Sequence, residues 1–199
     1  MDGVSGPSEA SHSPSELMVA YQGGELTAFD ELYRKLAPKL RGYLSSLTWD
    51  PVLAEDLLQE TFLQIHRSRH TYLPPRPVQP WAFAIARHVF LMERRQRTRR
   101  RRLESDPIGE LPEIPVPAVM AKLGTKSDVR RALAGLAADR REAVLLHHVW
   151  GFSFGEIGAM LGIREGTAKL RAHRAVTALR DSLSPHATRK TRGATDDPR

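Results

Sequence analysis

The chain of 199 residues contains no cysteine. Disulfides, thiolate metal sites and cysteine nucleophiles are therefore excluded, which agrees with a reducing compartment. Apolar runs are short as well, and none approaches the roughly 20 residues needed to cross a bilayer. Met1–His12 lacks the basic-then-apolar pattern of an export signal, so a soluble intracellular protein is expected. Catalytic constellations are missing too. No HExxH pattern, Ser/His/Asp set, carboxylate dyad or phosphate-cradling glycine loop stands at a recognisable spacing. His66 and His70 are four apart and His147 and His148 are adjacent, but no third ligand accompanies either pair, and a structural or solvated role is expected for them. No metal, cofactor or small-molecule substrate is implied, and an enzyme is not expected.

What the chain does have is positive charge. Thirty Lys and Arg against 23 Asp and Glu leave a net +7, which suggests a polyanionic partner, although acidic proteins and anionic membranes attract the same charge. Helical periodicity runs through most of the sequence and no strand pattern competes with it. The expected fold is all-α: two small helical domains joined by an extended linker. The divisions are a polar tail over 1–12, a first block over 13–102, an acidic proline-rich linker over 103–126, a second block over 127–183 and a polar, basic tail over 184–199.

In the first block, Ser13-Pro14-Ser15-Glu16 reads as a capped helix start. Leu26, Phe29, Leu32, Tyr33 and Leu36 then recur at helical spacing, and the pattern continues past Pro38 through Leu40, Tyr43, Leu44 and Leu47. Asp50-Pro51 starts a helix to about Ser68 that buries Ala54, Leu57, Leu58, Thr61, Phe62 and Ile65 and leaves Glu55, Asp56, Gln59 and Glu60 on a polar face. A proline-bearing loop over 69–79 precedes a helix from about Pro80 to Arg102, apolar first and increasingly basic later. Its arginines, Arg94, Arg95, Arg97 and Arg99 to Arg102, repel one another unless a polyanion relieves them. The acidic face of the preceding helix cannot serve the same partner and is suited to a basic protein surface.

The second block carries the sharpest signal. Ser153 and Glu156 form a capping box before Ile157, Met160 and Leu161, Gly162 supplies a tight turn, and a second helix runs from about Glu165 to Leu183. Lys169, Arg171 and Arg174 lie in its exposed N-terminal half, while Leu170, Ala175, Val176 and Leu179 can face inward. This is a helix-turn-helix whose second helix fits the major groove of duplex DNA.

With Ala54-Glu-Asp-Leu-Leu-Gln-Glu-Thr-Phe62, then Pro80-Trp-Ala-Phe-Ala-Ile-Ala-Arg-His88, an arginine run, a linker and Glu165-Gly-Thr-Ala-Lys-Leu-Arg-Ala-His-Arg-Ala175 in that order, the chain closely resembles the extracytoplasmic-function sigma factors of bacterial RNA polymerase. The resemblance implies a sigma-2 domain that holds a clamp helix pair of core polymerase through Asp56, Gln59, Glu60 and Phe62. It implies that the same domain opens the -10 element and captures an unstacked base near Tyr72, Trp81, Arg87 and His88, with Arg94 and Arg95 beyond. The second block corresponds to sigma-4, near the polymerase flap, reading the -35 element through Arg164, Thr167, Lys169, Arg171 and Arg174. The linker threads the polymerase cleft in that family, where Glu104, Asp106, Glu110 and Glu113 would imitate RNA. Its members are cytoplasmic, act at the nucleoid, and are commonly restrained by an anti-sigma factor that is often membrane-bound. The departure here is Ala168-Lys169-Leu170 after Thr167, where many members have valine, a basic residue and serine; Leu170 either touches a thymine methyl or packs inward. A free-standing helix-turn-helix regulator is the alternative, but it would need a sensor or dimerisation block where the acidic face stands.

Overall fold

The computed structural model describes residues 12–104 and 126–184. Among these residues there are eight α-helices, one 3-10 turn and no strand. The tails and all of the linker except its ends lie outside the described residues, as do the linker acids other than Glu104.

Helix α1 (Pro14–Gln22) starts with the expected capping box of Ser13 and Glu16. Helix α2 (Leu26–Thr48) runs unbroken through Pro38. The hydrogen bond lost there is offset by Leu36, Ala37 and Leu40, buried on either side, while the proline ring faces outward. The helix ends at Trp49, whose left-handed backbone (φ 60°) turns the chain sharply. Helix α3 (Pro51–Ser68) has the boundaries expected, with the Asp50 carboxylate accepting from the Val52 and Leu53 amides. A 3-10 turn (Arg69–Thr71) leads into the proline loop.

Helix α4 (Val78–Glu104) is longer than expected at both ends and takes the first two linker positions into the helix. Its early start has a physical reason. Pro80 sits in the first turn, where a missing amide costs no intrahelical bond, and the Ser15 hydroxyl accepts from the Val78 amide at 3.1 Å. Helix α5 (Lys126–Ala134) likewise claims the last linker position. Helix α6 (Ala138–His148) and the pair α7 (Phe154–Leu161) and α8 (Glu165–Leu183) complete the second block.

The two blocks are packed against each other. Leu146, Phe152, Ile157, Met160, Leu161 and Ala168 of the second block share one apolar core with α1 to α4. A smaller cluster of Val129, Leu133, Val144, Leu145, Ala175 and Leu179 takes in Trp49 from the first block. Amphipathic faces that periodicity assigned to each block separately are thus partly buried between them.

Candidate nucleic-acid interface

The helix-turn-helix is built by local chemistry. Ser153 and Glu156 cap α7 reciprocally, and Gly162 adopts the left-handed turn (φ 67°). The close approach of α7 to the turn depends on a second glycine. A Cβ on Gly158 would lie 2.8 Å from the Ile163 carbonyl oxygen and 3.3 Å from the Glu165 amide, so only glycine lets the two helices meet. Ala168, Ala172, Ala175 and Leu179 bury the inner face of α8. Arg164, Thr167, Lys169 and Arg174 are exposed on the outer face, whereas Arg171 is half-buried and paired with Asp139 of α6 at 3.2 Å.

Of the two places open to Leu170, inward or toward the groove, the structure selects the outer one. Leu170 is 48% exposed, because the alanines at 168 and 172 take the buried stripe and leave position 170 on the opposite side. An exposed leucine among cations is suited to an apolar groove feature such as a thymine methyl.

On α3, Asp56 and Gln59 are exposed and Glu60 is half-buried, accepting from Gln64 Nε2 at 2.6 Å. Glu55 is tied to Arg41 at 2.8 Å. Phe62 does not join them. It is only 5% exposed and lies 4.4 Å, ring centre to ring centre, from Tyr33 and 6.1 Å from Phe29, which makes it a core residue rather than part of a docking face.

The residues expected around a captured base are divided by the structure. Tyr72 is buried, its ring 5.7 Å from that of Trp81 and its hydroxyl donating to the Arg76 carbonyl, so it forms a wall and not a free stacking face. Half-buried Trp81 borders an apolar cavity of about 380 Å³ together with Tyr72, Leu73, Arg76 and, from α7, Met160. Arg87 points to the second block and pairs with Glu142 at 2.9 Å. His88 faces the other way, into a groove of about 540 Å³ between α3 and α4 that also takes Asp56 and Glu60. Arg94 and Arg95 are exposed, with the Arg94 guanidinium 5.9 Å from the Phe90 ring.

Two positioning residues escaped sequence reasoning. Gln22 at the end of α1 donates from Nε2 to the Arg69 and Tyr72 carbonyls at 2.6 and 2.9 Å and fixes the loop before α4. Ser15 holds the start of α4, as described. A single glutamine or serine at a helix end carries no spacing signal, so nothing in the sequence distinguishes these two. Two of the histidines take structural places: His66 Nδ1 is hydrogen-bonded to the Tyr21 hydroxyl, and His147 stacks on Phe154 at 4.1 Å with Nδ1 2.8 Å from the Phe152 carbonyl. Burial and neighbouring His147 hold the His148 imidazole below its usual range. Among the described residues no cluster of His, Asp and Glu is arranged for a metal ion, and no helix is long and apolar enough to cross a membrane.

The family model for sigma-70 region 2 matches residues 32–100, and that for sigma-70 region 4 matches residues 126–179. The chain is 39% identical over 170 residues to the RNA polymerase sigma factor CarQ of Myxococcus xanthus, covering 83% of this chain and 95% of that protein. It is 34% identical over 194 residues to the ECF RNA polymerase sigma factor SigE of Mycolicibacterium smegmatis, covering 94% of this chain and 74% of that protein. The chain belongs to the extracytoplasmic-function sigma factors. Among solved structures, it resembles the sigma factor RpoE of Bartonella quintana, determined in complex with the anti-sigma factor NepR. That match has a TM-score of 0.69 and 30% identity over 79% of this chain and 98% of that one. The fold also matches CnrH, determined with the cytosolic domain of CnrY, at a TM-score of 0.64, 22% identity, and 86% and 97% coverage.

As a sigma factor the protein binds core RNA polymerase and directs initiation at promoters. Sigma factors are transcription factors and not enzymes.

Proposed function

We propose that α3 docks on the clamp helices of core polymerase through Asp56, Gln59 and Glu60, and that the second block sits at the flap with α8 in the -35 major groove. Arg164, Thr167, Lys169, Arg171 and Arg174 contact that duplex. The surface of Trp81, Arg87, His88, Arg94 and Arg95 takes the opened -10 strand, with Tyr72 shaping the pocket wall. Melting then needs no nucleotide hydrolysis, because an unstacked base regains stacking and hydrogen bonds that offset a few kcal/mol of unpairing. The chain contributes no catalytic step of its own. It works in the cytoplasm at the nucleoid. An anti-sigma factor restrains it, as suggested by the RpoE–NepR complex, and a membrane-bound one would hold it at the inner membrane. The divisions that serve these roles are 13–102 and 127–183, joined by the linker.

The supporting observation is the separation of surfaces. An acidic face on α3 and a basic face on α8 belong to different blocks, so one chain can hold a protein and a duplex at once. The test is to add the full chain to sigma-free core polymerase with fragmented genomic DNA and sequence RNA 5′ ends against core alone. New start sites sharing one upstream motif pair are expected. Failure to bind core, with retention of an operator sequence by the chain alone, would instead identify a free-standing regulator.

A further inference from the structure

We propose that Leu170 makes the protein a reader of pyrimidine 5-methyl groups: one position of the -35 element is recognised by its methyl, so α8 takes thymine there and accepts 5-methylcytosine in its place. The inference rests on the reading of α8 as the -35 helix.

The place of Leu170 follows from the packing of α8. Ala168, Ala172, Ala175 and Leu179 form its buried stripe. Each residue turns a helix by about 100°, so position 170, two steps from both Ala168 and Ala172, points almost directly away from the core. One turn before it there is no side chain at all. A Cβ on Gly166 would meet no heavy atom within 4 Å, so packing inside the chain does not require glycine there. Its effect is on the outside, where a bare backbone beside Leu170 lets the helix approach a partner closely.

The surroundings of Leu170 select that partner. Its other neighbours at helical spacing, Thr167, His173 and Arg174, are exposed, and Lys169 and Arg171 flank it at about 100° to either side. Residues 166–174 contain no acid. The Glu165 carboxylate is turned back toward α7, where a Cβ on Gly155 would lie 3.7 Å from its Oε2. Leu26 and Val52 are more exposed than Leu170, but each has an aspartate one turn on, Asp30 and Asp56, a setting that repels DNA. Around Leu170 the charge attracts a polyanion, and yet the centre of the face is apolar.

Major-groove edges offer a leucine very little. Guanine, cytosine and adenine present donors and acceptors, which a hydrocarbon side chain strips of water without replacing their hydrogen bonds, whereas thymine also presents a methyl group on C5. Leu170 therefore discriminates by apolar contact and not by a hydrogen bond. At C5 cytosine carries a hydrogen where thymine carries the methyl, so 5-methylcytosine offers the same group in the same place. A C·G pair under Leu170 then becomes a better site once its cytosine is methylated, and base modification enters promoter choice through one side chain.

The probe for the test is a promoter duplex drawn from the start sites that core polymerase carrying the full chain uses on fragmented genomic DNA. Each thymine of the shared -35 motif, on either strand, is replaced in turn by uracil, which removes only the methyl, and retention of the duplex by the holoenzyme is measured. One thymine should show a loss of about fourfold, the value expected for one buried methyl group. At that position a C·G pair should gain about fourfold when its cytosine is 5-methylated. Leu170→Ala should bind thymine and uracil equally there, and cytosine and 5-methylcytosine equally, while Leu170→Met should keep both preferences. Uracil tolerated at every thymine, or a motif without thymine, overturns the methyl reading, as does a methyl preference that survives in Leu170→Ala. A uracil loss without the matching gain for 5-methylcytosine overturns the acceptance of the modified base. If the start sites share no motif in the -35 region although the chain binds core, the reading of α8 as the -35 helix falls and this inference with it.

Discussion

Arg171 Nε stands 3.2 Å from the Asp139 carboxylate, so a cation in the middle of the recognition helix is held by the helix packed behind it. The pair is partly solvated and contributes little to stability; its use is to fix where the guanidinium points. Arg171→Ala should weaken promoter binding by about 1–3 kcal/mol and relax the preference at one base pair. Asp139→Asn should keep the affinity within a few fold and broaden that same preference. Binding to a promoter library, sequenced before and after selection, separates the two. Unchanged affinity and preference in Arg171→Ala would remove that residue from the reading surface.

Gly158 should be the most sensitive position of α7. Its added methyl would meet backbone atoms at 2.8 and 3.3 Å, which cannot rotate away. Gly158→Ala is expected to cost roughly 1–3 kcal/mol in denaturant unfolding and to reduce -35 duplex binding while core binding through α3 persists. Gly155→Ala, whose Cβ would approach only a flexible glutamate side chain at 3.7 Å, is the control and should be neutral.

The start of α3 and both ends of α7 were legible because each falls on a residue with one strong local preference: Asp50, Ser153 and Gly162. The helix-turn-helix and the acidic face followed from spacing alone. Periodicity tells which face of a helix is apolar but not what covers it, and this is where the reading ran out. Phe62 and Asp56 belong to one helix, yet the phenyl ring meets Tyr33 and the carboxylate meets water, a distinction set by α2. Spacing leaves Leu170 open between the two faces of α8, and the alanines that fill the narrow inner contact decide it. Trp49 and Trp150 carry no pattern that links residues a hundred positions apart.

Tyr43 provides a pH dependence. Burial first, then the Glu142 carboxylate and its hydrogen bond, raise the phenol well above its ordinary value of 10.0. A raised folded value means that the contribution is fully present below about pH 10 and is lost as pH rises, because the unfolded chain releases the proton first. Urea midpoints should therefore fall between pH 9 and pH 11. Tyr43→Phe should flatten the fall; an equal slope in both proteins would exclude Tyr43 as its source.

Gln22→Ala should lower global stability by about 1–2 kcal/mol, the worth of two neutral hydrogen bonds, because it frees only the loop carbonyls of Arg69 and Tyr72. Promoter opening should suffer more than promoter binding. Permanganate footprinting of unpaired thymines, set beside duplex retention by the holoenzyme, will show this split; parallel losses in both would contradict it.

The three tryptophans of the chain are placed so that two bridge the blocks and the third, Trp81, faces the cavity under α7. Their emission will therefore shift to the red whenever the halves separate. That gives the unlabelled protein a built-in optical record of its own engagement, readable in real time as polymerase takes it up.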